Sequence, residues 1–365
     1  MVRPLNEQVV VITGASSGIG REAALQFAEK GATVVLASRN EMALQEAAAQ
    51  IIQKGGIASV VVTDVSIWEQ VEQLARQTVN DFGRIDTWVN DAGTSVYASA
   101  ENTTVPETQQ IVQTNFMGVV HGVKAALPYM RQQGGGTIIN IGSVESRRAL
   151  PYHSVYAATK HAVKAYTDAL RMELAHEHAP INVTLILPSG INTPFFNHAR
   201  SKLGVLPQPV PPVYKPELVA EAIVHAAEHP RREIYVGGAG VLLSLMERIS
   251  PVMADRMMTA GGSMFKLQQS KMPDDGQDTV FRTLPETGRV TGDFSHLVKP
   301  SMYTRLFELR PLWQRLLGMG ALAGAAIFVR RARQEGQPVN KMLMKRLNGM
   351  KPVKRARKLR ARLGV

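Results

Sequence analysis

The chain has 365 residues, of which 45% are hydrophobic and 20% are charged, and its formal net charge is +12. This composition is ordinary for a globular protein and leaves enough residues for one large domain with an extension. Because the chain contains no cysteine, it excludes a disulfide framework, a thiolate metal site and a cysteine nucleophile.

The excess positive charge lies in one place, the last part of the chain. Residues 330–365 contain thirteen Lys or Arg and a single acid, Glu335, whereas residues 1–329 contain 29 basic and 29 acidic side chains. A basic block of this kind is typical of an arm that meets a polyanion, either nucleic acid or an anionic lipid surface. The first residues lack the apolar segment of a secretory signal, so we expect a cytoplasmic protein.

Residues 8–238 alternate short β-branched runs with longer helical stretches. The apolar runs read VVVIT, ATVVLA, ASVVVT, IDTWVN, GTIINI, INVTLIL and EIYVGG. Continuous apolar strands separated by crossover helices predict a parallel sheet that is covered on both faces. We therefore predict a doubly wound, Rossmann-type α/β domain over residues 1–240. Five prolines between Pro207 and Pro216 predict a long surface loop before a helix that begins near Glu217.

The alternation stops after Gly240, where Pro251 should kink or divide a single helix. The apolar side chains of this helix follow helical spacing at Leu242, Leu245, Met246, Ile249 and Met253. We interpret the stripe as core or a dimer seam, with a lid or a membrane-facing surface as the alternative. Residues 259–300 are rich in Gly, Pro, Asp and Ser and predict a linker. The extension therefore divides into 241–300 and 301–365, and we expect it to be mostly helical.

The first glycine-rich turn reads TGASSGIG and lies between a predicted strand and a predicted helix. Gly14, Gly18 and Gly20 would let the backbone turn tightly and approach a pyrophosphate, which then sits at the helix N-terminus, where free N–H groups favour anions. The turn therefore predicts a dinucleotide site. The alternative is a tight turn with a purely structural role, which would have a similar sequence.

Three further motifs follow in order, and they read NDAG (Asn90–Gly93), GS (Gly142 and Ser143) and YAATK (Tyr156–Lys160). Together with the glycine turn, they resemble the short-chain dehydrogenase/reductase family over residues 8–238. The resemblance implies an oxidoreductase that transfers a hydride between a nicotinamide cofactor and a carbonyl or alcohol substrate. It also implies that the chain forms a homo-oligomer.

Tyr156 and Lys160 are four residues apart in a predicted helix, so they share one face. A nearby ammonium and a cationic nicotinamide would both favour the phenolate and bring the pKa of Tyr156 towards the working range. By resemblance, Tyr156 is the proton donor in reduction, Lys160 is its electrostatic partner and a ribose ligand, and Ser143 orients the substrate. Asn115 matches the family residue that holds a water in a proton relay.

The choice of cofactor can be argued from the end of the second predicted strand. An acidic residue there holds the ribose 2′-hydroxyl of NAD, whereas a basic residue suits a 2′-phosphate. This chain has Ser38 followed by Arg39, which favours NADP(H) over NAD(H). The expected cofactor-binding residues are Gly14, Ser16, Ser17, Gly18, Ile19, Gly20, Ser38, Arg39, Asp64, Val65, Asn90, Ala92, Gly93, Tyr156, Lys160, Pro188 and Thr193.

Two positions depart from the family pattern. Ser189 stands where the family usually has the glycine of a Pro-Gly pair, and Asp91 stands where asparagine is commoner. Thr193 still occupies the position of the threonine that bonds the nicotinamide carboxamide. The nine histidines show no metal-like spacing, so we expect no metal site.

The apolar segment Leu316–Val329 runs directly into the basic block. As a helix its fourteen residues would span about 21 Å, which is short of the roughly 30 Å of a bilayer core. A spanning helix would also place the NADPH-dependent domain and the basic tail on opposite sides of the membrane. An interfacial helix avoids this conflict, because an apolar face and a polybasic block can act together on anionic lipid. A buried or oligomer-packing helix is the third interpretation.

The leading hypothesis is therefore an NADP(H)-dependent carbonyl reductase or alcohol dehydrogenase that acts on a hydrophobic compound. The alternative is a catalytically silent, cofactor-sensing scaffold with a polyanion-binding tail. A nucleic-acid partner is disfavoured, because the tail has almost no aromatic residues to stack on bases.

Overall fold

A parallel sheet of seven strands forms the centre of the molecule in the computed structural model. The model describes residues 2–284 and 288–309. The chain divides into one compact unit, Met1–Leu309, and a second unit, Arg310–Val365, which lies outside the described residues. The predictions for Leu316–Val329 and for the basic tail therefore lie outside them too.

The strands in chain order are β1 Val9–Thr13, β2 Thr33–Ser38, β3 Ile57–Val62, β4 Thr87–Asn90, β5 Val96–Tyr97, β6 Gly136–Ile141, β7 Ile181–Pro188, β8 Gly190–Ile191, β9 Arg200–Ser201, β10 Val205–Pro207, β11 Val213–Tyr214, β12 Glu233–Val236 and β13 Gln269–Pro273. The helices are α1 Gly18–Glu29, α2 Glu41–Gln53, α3 Trp68–Phe82, α4 Val105–Val112, α5 Gly118–Gln132, α6 Ser154–His176, α7 Phe195–His198, α8 Pro216–Glu228, α9 Gly238–Ile249, α10 Pro251–Thr259 and α11 Ser263–Leu267.

The central sheet has the order β12-β7-β6-β4-β1-β2-β3, and every neighbouring pair is parallel. Its seven strands are the seven apolar runs, so the predicted doubly wound sheet is confirmed. The order reverses between β1 and β4, and a reversal of this kind opens a crevice at the carboxyl ends of the strands.

Helices cover both faces of the sheet. On one face, α1, α2 and α8 bury Phe27, Leu44 and Ile223 against the strands. On the other face, α3, α5 and α6 bury Leu74 and Val123 together with Leu170. Full burial of one such side chain stabilises the fold by about 1.5–3 kcal/mol. The two layers hold the strand ends, and therefore the crevice, in a fixed arrangement.

The proline-rich stretch differs from the predicted surface loop. It contains the short strands β10 and β11, and Val213 and Tyr214 are buried. β11 pairs in parallel with β8, which directly follows the central strand β7. The prolines exclude long strands but not two-residue pairings, and these pairings hold the stretch against the crevice.

Pro251 divides the predicted helix as expected, because α9 ends at Ile249 and α10 begins at Pro251. The apolar stripe is not core within the described unit. Leu242, Leu245 and Ile249 are 60%, 51% and 70% exposed. The compact unit buries the opposite side of α9, through Gly240 and Ser244, and so leaves the stripe on the surface.

The described parts of residues 259–300, which are 259–284 and 288–300, are structured where composition predicts a linker. This stretch contains α11 and β13, and β13 pairs in antiparallel fashion with β10. Val280 and Phe294 are fully buried. The mainly polar composition of this stretch gives no sign of these buried apolar residues. The compact unit extends to Leu309 rather than ending near residue 240. Among the described residues, no helix has both the length and the apolar character needed to cross a membrane.

Candidate active site

One large cleft lies at the carboxyl ends of the central strands, at the reversal between β1 and β4. Its cavity volume is about 410 Å³, which lies within the range of about 300–1,000 Å³ that is usual for small-molecule sites.

The glycine turn between β1 and α1 forms the floor of the cleft. Gly14 and Gly18 have φ angles of +78° and +56°, which side-chain-bearing residues rarely adopt. A Cβ on Gly14 would lie 2.8 Å from the nitrogen of Ala92, so only glycine lets the turn pack against the loop after β4. Ser16, Ser17 and Ile19, which are expected to bind the cofactor, also line the cleft.

Gly20 does not line the cleft. A Cβ there would lie 2.5 Å from the carbonyl oxygen of Gly14, so this glycine permits the helix to pack closely on the turn. Its role is to shape the turn rather than to touch a ligand.

Ser38, Arg39, Asp64 and Val65 line the cleft at the ends of β2 and β3. The guanidinium of Arg39 donates to the carbonyl oxygen of Thr279 at 2.6 Å and lies 4.0 Å from Asp64. The basic group therefore faces the end of the cleft where an adenosine ribose would lie, and it already has an acceptor.

The loop after β4 brings Ala92 and Gly93 into the cleft lining. Asn90 does not line it. Its side-chain oxygen accepts from the indole of Trp88, and its amide donates to Asn140, each at 2.8 Å. The Asn90 side chain is therefore part of the packing behind the sheet.

Asn115 is fully buried behind this loop, in a π-helical turn that joins α4 to α5. Its side chain accepts from the backbone nitrogen of Thr94 at 2.8 Å and donates to the carbonyl oxygen of the same residue at 2.9 Å. These bonds fix the loop that carries Gly93. The Asn115 side chain thus supports the cleft without lining it.

Ser143, Tyr156 and Lys160 meet in the cleft, as the motif spacing predicts. Ser143 follows β6, whereas Tyr156 and Lys160 lie on α6. The Lys160 ammonium nitrogen is 5.5 Å from the centre of the Tyr156 ring and donates to the carbonyl oxygen of Ile141 at 2.8 Å. A hydroxyl, a phenol and an ammonium therefore converge at one end of the cleft.

The electrostatics of this end differ from the expectation for Tyr156. Burial raises the pKa of the phenol well above its usual value, and the negative charges of Glu145 and Asp91 raise it further, while a hydrogen bond with Ser143 lowers it. Burial also lowers the pKa of Lys160 to about 8, against the opposing effects of Asp91 and Glu145. In the absence of a cationic ligand, the surroundings therefore keep Tyr156 protonated.

Asp91, the residue that departs from the family pattern, lines the cleft between the glycine turn and Lys160. Burial raises its pKa from 3.8 to about 7, whereas the charge of Lys160 and a hydrogen bond from the backbone of Gly20 lower it. Asp91 is thus a carboxyl group that changes charge near neutral pH.

A second group of polar side chains, which sequence reasoning missed, lies beside Tyr156. His153 Nδ1 contacts Glu145 Oε1 at 2.8 Å, and His153 Nε2 contacts Ser95 Oγ. All three side chains are buried and line the cleft. The imidazole stacks between Tyr97 and Tyr156, with 4.2 Å between ring centroids on each side. His153 is three residues before Tyr156, but the bends that bring Ser95 and Glu145 to it leave no sequence signal.

The loop after β7 closes the same end of the cleft. Pro188, Ser189 and Thr193 line it. Ser189 fits in place of glycine because its backbone nitrogen donates to Val236 at 2.9 Å and its hydroxyl donates to the carbonyl oxygen of Gly237 at 3.2 Å. The unusual serine therefore ties this loop to β12.

A segment from the predicted linker runs along the other side of the cleft. We call its described parts, residues 278–284 and 288–294, the strap. Thr279, Thr283, Leu284, Gly288 and Arg289 of the strap line the cleft. Sequence reasoning missed these residues because no motif marks them.

Comparison with known proteins places this site in a family. The family model described as short chain dehydrogenase matches residues 8–204. The uncharacterized oxidoreductase YxnA of Bacillus subtilis is 41% identical over 279 residues, which cover 76% of this chain and 78% of the relative. Dehydrogenase/reductase SDR family member 7B of Xenopus tropicalis is 33% identical over 267 residues, which cover 70% of this chain and 86% of the relative.

Two solved structures share the fold. A short chain dehydrogenase/reductase from Burkholderia phymatum in complex with NAD has 26% identity and a TM-score of 0.63, and the match covers 69% of this chain and 96% of that one. An alcohol dehydrogenase from Thermococcus sibiricus complexed with 5-hydroxy-NADP has 27% identity and a TM-score of 0.56. This match covers 63% of the present chain and 95% of the alcohol dehydrogenase. The fold, the relatives and the matched family model agree, and this chain belongs to the short-chain dehydrogenase family.

Proposed function

We propose that this chain is an NADP(H)-dependent oxidoreductase that interconverts a carbonyl compound and its alcohol. One observation carries the proposal: a dinucleotide-type glycine turn and the Ser143, Tyr156 and Lys160 side chains line the same cleft. A hydride donor and a proton donor must act on one carbonyl group, so both must reach the same small volume.

The residues of the cleft fit a dinucleotide. The turn around Gly14 and Gly18 leaves a groove that side chains would fill, and it lies at the N-terminus of α1, where backbone N–H groups favour phosphate. Thr193 lies beside this turn, since a Cβ on Gly18 would be 3.3 Å from its side chain, and Lys160 lines the same cleft. The resemblance expects the carboxamide and ribose ligands at these two positions. A bound nicotinamide dinucleotide would supply the hydride.

The protein side chains supply orientation and the proton. Ser143 donates a hydrogen bond to the substrate oxygen, and Tyr156 delivers its phenolic proton to that oxygen as the carbonyl carbon is reduced. The high pKa of Tyr156 keeps the proton in place until negative charge develops on the substrate. Lys160 then stabilises the tyrosinate that remains, because its ammonium lies 5.5 Å from the ring centre.

The preference for NADP(H) is supported by Arg39 and by the absence of an acidic side chain at Ser38. In the structure, Arg39 is held by the carbonyl oxygen of Thr279, which is a neutral acceptor. A 2′-phosphate is the stronger acceptor, because a hydrogen bond between two charged groups exceeds one to a neutral carbonyl.

A hydrophobic substrate is supported by the lining near Tyr156. The ring of Phe195 lies 5.5 Å from that of Tyr156. The cleft is also lined by Phe196, Leu243, Met264 and Leu150. Apolar walls around a few polar groups select apolar molecules that carry one reactive oxygen.

The partner proposals rest on sequence. The resemblance supports a homo-oligomer, and a cytoplasmic location stays a prediction. Leu316–Val329 and the basic tail support peripheral binding to an anionic membrane surface. The exposed stripe on α9 leaves both the dimer-seam and the membrane-facing interpretations open.

The test combines binding with turnover. We expect purified protein to bind NADPH, measured by nucleotide fluorescence, and to oxidise it in the presence of members of a panel of apolar ketones and aldehydes. Tyr156→Phe should reduce turnover by several orders of magnitude while NADPH binding stays nearly unchanged, because the change removes the proton donor and leaves the glycine turn intact. A protein that binds no nicotinamide dinucleotide, or a Tyr156→Phe variant with substantial turnover, would contradict the proposal.

A further inference from the structure

The described parts of the strap line the cleft between Arg39 and the loop that carries Thr193. The strap begins beside Arg39, where the nitrogen of Thr279 donates to the carbonyl oxygen of His198 at 2.9 Å. It ends beside the loop that carries Thr193, where Gly292 and Phe294 each donate a backbone hydrogen bond to Asn192, at 3.1 and 3.0 Å. The strap thus lies against the glycine turn, between Arg39 and Thr193.

The strap shares polar donors with the proposed dinucleotide site. The N–H of Gly18, at the N-terminus of α1, donates to the carbonyl oxygen of Arg289 at 2.9 Å. The side chains of Arg39 and Asn40 donate to the carbonyl oxygens of Thr279 and Leu284, at 2.6 and 3.0 Å. All three acceptors are main-chain oxygens of the strap, so a dinucleotide reaches these donors only when the strap contacts rearrange.

Close backbone contacts hold the strap in this position. A Cβ on Gly288 would lie 2.0 Å from the carbonyl oxygen of Ser16, and one on Gly292 would lie 2.5 Å from that of Thr193. Neither glycine has a positive φ angle. Each is therefore required because a side chain would not fit against the neighbouring backbone, and not because of its own backbone conformation. Phe294 anchors one end through full burial against Phe196.

In this position, the strap also leaves one buried nitrogen of Arg21 without a hydrogen bond to any described residue. Arg21 lies under Gly288, since a Cβ there would lie 2.3 Å from Arg21 Nη1. This nitrogen is buried and has no hydrogen-bond partner in the described structure. A buried donor without an acceptor destabilises the arrangement that buries it. Displacement of the strap at Gly288 gives this nitrogen access to water.

We propose that the strap closes the cleft over the dinucleotide and gates its exchange, so that the dinucleotide enters and leaves only when the strap detaches. This inference rests on the proposed function, because it takes the cleft to be a dinucleotide site. It assigns to residues 278–284 and 288–294 a role in the rate of cofactor exchange.

The test uses the full chain and two variants that displace the strap without changing a residue assigned to the dinucleotide. Gly288→Ala and Gly292→Ala each place a methyl group against a backbone oxygen. Thr291→Ala is the matched control, since Thr291 is an exposed residue of the same segment. NADPH association and dissociation are followed by stopped-flow fluorescence, and thermal unfolding shows whether each variant folds.

We expect both rate constants to rise by about tenfold or more in the two glycine variants and to stay unchanged in Thr291→Ala. A tenfold change corresponds to about 1.4 kcal/mol, which is the order of one or two lost hydrogen bonds. Hydrogen exchange of strap peptides provides a second measurement. It should be faster in the glycine variants than in the wild type, and NADPH should slow it in the wild type.

Two results would overturn the gate. One is unchanged NADPH rates in a folded variant whose strap exchanges faster. The other is a wild-type strap whose hydrogen exchange does not respond to bound NADPH, and this measurement needs no variant. A wild-type protein that binds neither NADPH nor NADH contradicts the proposed function itself, so the two failures are distinguishable.

Discussion

Asp91→Asn should make the stability of this protein less dependent on pH. Burial raises the pKa of the Asp91 carboxyl from 3.8 to about 7. Below about pH 4 the group is protonated in both the folded and the unfolded chain and has no effect. As the pH rises from about 4 to about 7, the unfolded chain releases the proton while the folded chain retains it, so the free energy of unfolding falls.

The size of this effect follows from the shift. One pKa unit corresponds to about 1.36 kcal/mol, so a shift of about three units corresponds to about 4 kcal/mol above pH 7. Asparagine has nearly the same shape and does not ionise. Because the unfolded chain already ionises above pH 3.8, about 1.7 kcal/mol of this effect is present at pH 5, so the variant should gain about 2.6 kcal/mol over the wild type at pH 8 relative to pH 5. The attraction between Asp91 and Lys160 is already included in the pKa of about 7.

The assay is urea unfolding of both proteins at pH 5 and pH 8. The quantity to compare is the change in the free energy of unfolding between the two pH values, because groups that do not interact with Asp91 then contribute equally to both proteins. The pKa of Lys160, which Asp91 raises, falls further in the variant and increases the difference in the same direction. Asp81→Asn, at an exposed position on α3, is the matched control and should follow the wild type. If Asp91→Asn shows the wild-type pH dependence, the buried carboxyl does not have the raised pKa.

Three further predictions concern cofactor choice, the polar group beside Tyr156, and the tail. Arg39→Asp should shift cofactor preference from NADPH towards NADH, because a carboxylate repels the 2′-phosphate. If the ratio of the NADPH and NADH dissociation constants is unchanged, Arg39 does not contact the 2′-phosphate. His153→Ala should lower the free energy of unfolding by about 3 kcal/mol, because the buried Glu145 carboxyl group loses its hydrogen-bond partner. A loss below about 1 kcal/mol in urea unfolding would argue against this, and His153→Gln should lose less. Full-length protein should sediment with anionic vesicles, and about 1 M salt should partly release it. A chain that ends at Leu309 should stay in solution and retain NADPH binding. A full-length protein that does not bind the vesicles at low salt would refute this prediction. The cut falls after Leu309 because Thr304 and Glu308 are buried in the compact unit.

The fold was predictable where local pattern and long-range packing agree. Each central strand is a continuous apolar run because it is buried on both faces, so the seven runs predict the seven strands. Pro251 divides α9 from α10 for a reason that is local to the chain. The stripe on α9 follows helical spacing, but spacing alone does not say which face the unit covers.

The site was predictable where a motif carries it. Tyr156 and Lys160 share the face of α6 that their spacing requires, and the glycine turn lies where its positive φ angles are needed. The raised pKa of Tyr156 was not predictable, because it depends on burial and on Glu145 and Asp91, which the fold brings close. The strap was concealed for a related reason. Its contacts with the cleft are made mainly by backbone oxygens, which every residue has.

The strap has a consequence for the order in which the protein is made. The bond between Arg39 and Thr279 joins residues 240 positions apart, and the one between Asn40 and Leu284 joins residues 244 apart. Domains begin to fold from the N-terminus during synthesis. A nascent chain that has completed β7 already contains the glycine turn, Tyr156 and Lys160, while the strap has not yet been translated. Under the proposed function, a dinucleotide would therefore meet an uncovered cleft first, because the strap is translated about ninety residues after β7 ends.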